Sequence, residues 1–98
     1  MSQEKYKADA GRWLAQARSD LDAARTSRKN GHHEWAAFQS QQGGEKALKA
    51  LWYFEASDPW GHSLVKLIQD FPVPKIRERL DTILQDAKHL DKLYIPTR

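Results

Sequence analysis

Apolar positions along this chain recur at helical spacing, and no segment shows the alternation of a half-buried strand. The longest patterned stretch, Glu34 to Ala56, reads as one helix of about six turns. Upstream, Trp13, Leu14, Ala17, Leu21 and Ala24 share one face and predict a helix from about Ala8 to Ser27. Met1 to Lys7 reads as a polar, frayed tail. Lys29-Asn30-Gly31-His32-His33 makes the turn between the two helices, because Asn and Gly tolerate the positive φ that ends a helix. Ser57-Asp58-Pro59-Trp60-Gly61 breaks the chain again. A short helix follows at about Ser63 to Asp70, and then the rigid connector Phe71-Pro72-Val73-Pro74. The fourth helix is expected from Lys75 to about Leu90, with Ile76, Leu80, Ile83, Leu84, Ala87 and Leu90 in one stripe. Leu93 to Arg98 reads as an extended tail stopped by Pro96. Short turns between long helices predict an all-α, up-and-down bundle of about four helices, as a single domain.

The central helix carries two stripes. One is small and apolar: Ala36, Ser40, Gly43, Gly44, Ala47, Leu51 and Phe54. It suits close approach of a neighbouring helix within the protomer. The other mixes aromatic and polar residues: Trp35, Phe38, Gln42, Glu45, Lys49 and Trp52. A bundle of this length has little room to bury both, and an exposed aromatic stripe invites a symmetric partner. The expectation is a homodimer whose seam includes Trp35, Phe38, Gln42 and Trp52. Paired glycines at 43 and 44 cost about 1 kcal/mol each relative to Ala in a helix, so a packing reason is expected there.

Composition narrows the function classes. The chain has 98 residues and no cysteine, which removes disulfides and Cys-based metal sites. None of the four histidines has metal-ligand spacing, and no phosphate loop, nucleotide fingerprint or hydrolase motif is visible. No cofactor is expected. The N-terminus lacks a signal-peptide run and no stretch could span a membrane, so the expected location is the cytoplasm. Net charge is +3. Residues 1–33 hold seven Lys/Arg against four Asp/Glu, and residues 34–98 hold nine against nine. The excess therefore sits on the first helix and its turn, where an anionic partner such as RNA or a nucleotide could be met.

Four segments carry a family resemblance. Gln-x-x-x-Glu-Lys-Ala-Leu-Lys-Ala-Leu, from Gln41 to Leu51, resembles the HEPN domain. So do WLAQARSDLDAAR upstream, Gly61-His62-Ser63-Leu64, and the closing Leu93-Tyr94-Ile95-Pro96-Thr97-Arg98. The resemblance covers roughly Trp13 to Arg98. It implies an all-α bundle, usually homodimeric, and in bacteria often paired with a minimal nucleotidyltransferase in a toxin–antitoxin-like system. Many relatives continue into a further helical segment, which implies a bundle face left partly uncovered here.

Three functions then compete. In the first, the domain is a binding module that holds a nucleotide or RNA through Lys46, Lys49, His62 and Arg98. In the second, it is a metal-independent endoribonuclease. Ribonuclease relatives carry Arg, four to six residues, then His on the last helix. Here Arg28 and His33 have four residues between them, but they lie in the first turn. In the third, it is a structural dimerisation or protein-interaction domain, in which Glu45 and Lys49 pair as i, i+4 neighbours without any ligand.

Overall fold

The computed structural model describes residues 2–93. Helix α1 spans Gln3–Lys29. It starts five residues before the sequence pattern does, so the expected frayed tail is mostly helix. The cause is local. The Ser2 hydroxyl caps it by accepting from Lys5 N at 3.1 Å. Asp9 then draws Lys5 and Arg12 together on the surface. Gly31, at φ 80°, reverses the chain.

Helix α2, His33–Phe54, runs back antiparallel along α1. Ala10, Ala17 and Ala24 from α1 and Ala36, Gly43 and Ala50 from α2 are all buried. Gly43 shows why glycine stands there: an added Cβ would lie 2.9 Å from Leu21 side-chain carbons and 3.4 Å from the Ala17 carbonyl oxygen. Gly44 faces the other way, towards Leu64, with room for a methyl at 3.5 Å.

The far side of α2 carries the core. Helix α3, Leu64–Gln69, starts at the Ser63 cap. After the 70–73 connector come α4, Pro74–Leu80, a 3-10 turn, Asp81–Ile83, and α5, Leu84–Asp91. Leu48 and Trp52 from α2 pack on Leu64, Leu67, Ile68, Phe71 and Ala87. Trp52 meets Phe71 edge-on, with ring centroids 5.8 Å apart, and its indole N–H donates to the Leu67 carbonyl at 3.1 Å. Asp91, at the end of α5, reaches back 26 to 28 residues. Its carboxylate accepts from Ser63 Oγ, Leu64 N and Val65 N, at 2.8, 2.8 and 3.0 Å, and so caps α3 from a distance.

Among the described residues the architecture is all-α, and it makes four helices when the broken last one is counted once. The break is a correction. A single helix over Lys75 to Leu90 was expected, but the backbone tightens at residues 81–83. Thr82 Oγ1 donates to the Arg79 carbonyl at 2.8 Å, a side-chain bond that competes with the helical ladder. Ile83 leaves the stripe and is 44% exposed, while Ala87 is buried.

The two stripes of α2 are also redistributed. Glu45, Lys49 and Trp52 point into the protomer, whereas Phe54 of the small stripe is 64% exposed. Trp52 therefore belongs to the core, and it is lost to the expected seam. The physical reason is that α3 and α5 pack on the Gln41–Trp52 side of α2 and need its largest ring there.

Candidate functional site

Two polar constellations emerge. The first surrounds Glu45. The Gln41 side chain is fully buried; its Nε2 donates to the His62 carbonyl at 3.0 Å, and its Oε1 accepts from Gln42 Nε2 at 2.7 Å. Glu45 Oε2 accepts from Lys49 Nζ at 3.0 Å and faces His62 Nδ1 at 3.2 Å. Its other oxygen, Oε1, is buried with no hydrogen-bond partner among the described residues. Lys49 Nζ also lies 5.3 Å from the centre of the Trp13 ring, which stacks on Tyr53. Lys46, one position along α2 from Glu45, pairs with Asp20 of α1 at 2.5 Å.

Of the residues expected to hold a phosphate, Lys49 and His62 are thus brought together on one carboxylate. Lys46 is turned to a separate one, and Arg98 lies outside the described residues. Both lysines are neutralised within the protomer. A cation already matched by a carboxylate, buried at Glu45 and half-buried at Asp20, has little charge left for a ligand, so this cluster reads as structural. It fastens the loop before α3 onto α2 through Gln41 and Glu45. Tyr6 of α1 adds a contact to the same loop, its hydroxyl donating to Asp58 at 3.4 Å. Sequence reasoning missed Trp13 and Asp20 as members, because only the register of α1 on α2 joins them to Lys49 and Lys46, and it named Gln41 only as the start of the motif, since its partner at His62 lies 21 residues away.

The second constellation lies at the helical turn. Arg25, Arg28 and Lys29 from the end of α1 and His33 from the start of α2 line one open cleft of about 540 Å³. Its floor is apolar, built from Leu21, Ala24, Ala36 and Ala37, with Ser40 at the side. Arg25 shares its charge with Asp22 at 3.0 Å, in a fully solvated pair that costs little to open. Arg28 and Lys29 form no ion pair among the described residues. The α2 N-terminus opens nearby without a side-chain cap, so its first N–H groups add positive potential. Arg28 and His33, the Arg-x4-His pair, are brought into the same cleft.

The expected seam divides. Trp52 is core, and Gln42 is engaged with Gln41. Trp35 and Phe38 stay together on the surface, stacked at 5.3 Å between ring centres, with Trp35 55% exposed. Among the described residues there is no group of side chains able to hold a metal ion, and no helix is long and apolar enough to cross a membrane.

This fold and geometry define a small all-α domain built on a helical hairpin. The chain belongs to the HEPN domain family, whose profile matches residues 10–98. It is similar to the crystal structure of TT1696 from Thermus thermophilus, with 42% identity and a TM-score of 0.76 over 91% of this chain and 68% of that one. It is also similar to ST0689, an archaeal HEPN homologue, with 39% identity and a TM-score of 0.73 over 91% of this chain and 66% of that one. The chain spans about two thirds of the length of both. No curated protein matches it.

Proposed function

We propose that this HEPN domain is a binding module for an anionic ligand, a nucleotide or RNA, held in the basic cleft at the α1–α2 turn, and that it works as a homodimer. The observation that carries the reading is the convergence of Arg25, Arg28, Lys29 and His33 on one apolar-floored cleft. Guanidinium groups suit phosphate because their planar donors match its oxygens. An apolar floor suits the sugar or base that a phosphate brings with it. The cluster around Lys46 and Lys49 offers no comparable unspent charge.

The test is fluorescence anisotropy with labelled ATP and with a short single-stranded RNA. Binding is expected to weaken as salt is raised, and Arg28→Glu should weaken it at least about tenfold, as for loss of a charge-assisted contact. Lys46→Ala should change it little. Equal affinity of wild type and Arg28→Glu would contradict the reading.

RNA cleavage is a second reading, favoured by the meeting of Arg28 and His33 in the cleft. His33 would move the proton and Arg28 would hold the phosphate. The binding reading expects RNA incubated with the chain to stay intact. Cleavage that His33→Ala abolishes would decide for the enzyme.

A further inference from the structure

Large aromatic rings on a protein surface are usually loose. Trp35 is not. One face of its indole lies on Phe38, at 5.3 Å and 20° between the rings. Its N–H donates at 3.1 Å to the Gln39 amide oxygen, in the amide orientation that satisfies both ends of that side chain. The Gln39 nitrogen donates in turn to Ser27 Oγ at 2.7 Å and to the Ala23 carbonyl at 3.3 Å, which ties the assembly to α1. More than half of the residue nevertheless stays exposed, at 55%. The ring is thus held in place while open to solvent. It forms one wall of a surface recess shared with Phe38, Glu34 and His33, and His33 also lines the basic cleft.

We infer that Trp35 is a stacking shelf for an unpaired nucleobase, placed next to the phosphate cleft so that the two together take single-stranded nucleic acid. The inference rests on the anion-binding reading of that cleft and adds a second subsite to it. A pre-oriented indole stacks on any base without ordering cost, since every base has a π-face. The Glu34 carboxylate in the recess repels phosphate, so a base fits the shelf and the backbone keeps to the Arg28 side. The same carboxylate can accept from a base amino group. A protein partner is the weaker occupant. Only two rings make up the apolar part, and their rim is His32, His33 and Glu34. The larger apolar face of the hairpin lies elsewhere, around Leu14 and Phe54.

The experiment compares a short single-stranded RNA with an abasic ribose-phosphate oligomer of equal charge, by anisotropy, on wild type and on Trp35→Ala, Trp35→Phe and Arg28→Glu. Wild type should prefer the base-bearing strand about tenfold, the order expected for one stacked base. Trp35→Ala should remove that preference and leave the abasic affinity unchanged, and Trp35→Phe should restore part of it. Arg28→Glu should weaken both strands alike. The shelf is refuted if wild type shows no preference, or if Trp35→Ala keeps it. It is also refuted if Trp35→Ala turns a dimer into a monomer, which would make the indole a seam residue. If wild type binds neither strand, the cleft reading falls and the shelf falls with it.

Discussion

One carboxylate oxygen of Glu45 holds two partners, Lys49 on its own helix and His62 from the loop before α3. Its spacing to Lys49 marks an i, i+4 ion pair, and its place in the family pattern marks a site. The pair is present at 3.0 Å, with 5% of the Glu45 side chain and 11% of the Lys49 side chain exposed. What sequence could not show is that the same carboxylate oxygen also meets His62, because a 17-residue separation carries no periodic signal. Removing the carboxylate would leave the Lys49 ammonium buried without its partner. Glu45→Ala is therefore expected to lose about 3 kcal/mol in a urea melt, the cost of breaking a buried pair from one side. A loss below about 1 kcal/mol would mean that Lys49 finds water or another acceptor. Trp52 makes the complementary case. Its aromatic character suggested a seam, yet its N–H found a carbonyl and its ring found Phe71 inside the protomer, partners that no local pattern names.

At the scale of elements, helix positions were legible wherever apolar period and punctuation agreed. The central helix was expected over Glu34 to Ala56 and occupies His33–Phe54, between Gly31 and the Pro59 break. Agreement failed where the deciding contact is not periodic. Ser2 extends α1 through a cap, and Thr82 breaks the last helix through one side-chain bond. A packing reason was expected for the paired glycines, and the structure gives one to Gly43 but not to Gly44. Gly43 sits under Leu21 and Ala17, but Gly44 has room. Gly44→Ala should thus raise stability by up to about 1 kcal/mol through helix propensity. Gly43→Ala must push Leu21 aside and should be the less stable of the two. Thermal melts of both variants check the order, and a Gly43→Ala protein that melts above Gly44→Ala would contradict the packing described.

For the whole molecule, the uneven charge is the sequence signal that bears on the proposed cleft. It placed the basic excess on the first helix and turn, and the structure gathers Arg25, Arg28, Lys29 and His33 there in one cleft. The family motif drew attention to Lys46 and Lys49 instead. Their carboxylate partners become visible only once α1 is laid along α2. The dimer proposal shifts in the same way. With Trp52 buried, an apolar groove of about 520 Å³ lined by Ala10, Leu14, Ala47, Leu51 and Phe54 is left open. Leu14 and Phe54 are 48% and 64% exposed, which is unusual for large side chains sharing one groove. Light scattering is expected to give the mass of two chains, and Leu14→Glu to give one folded chain. A wild-type mass of one chain at high micromolar concentration would remove the dimer and leave the groove unexplained. The claim on which most depends is where an anion binds. An amide chemical-shift titration with a short single-stranded RNA measures this directly. Perturbations should concentrate between Leu21 and Phe38, with Lys46, Lys49 and His62 nearly unmoved. Shifts clustered around Lys46, Lys49 and His62, or none at all, would contradict it.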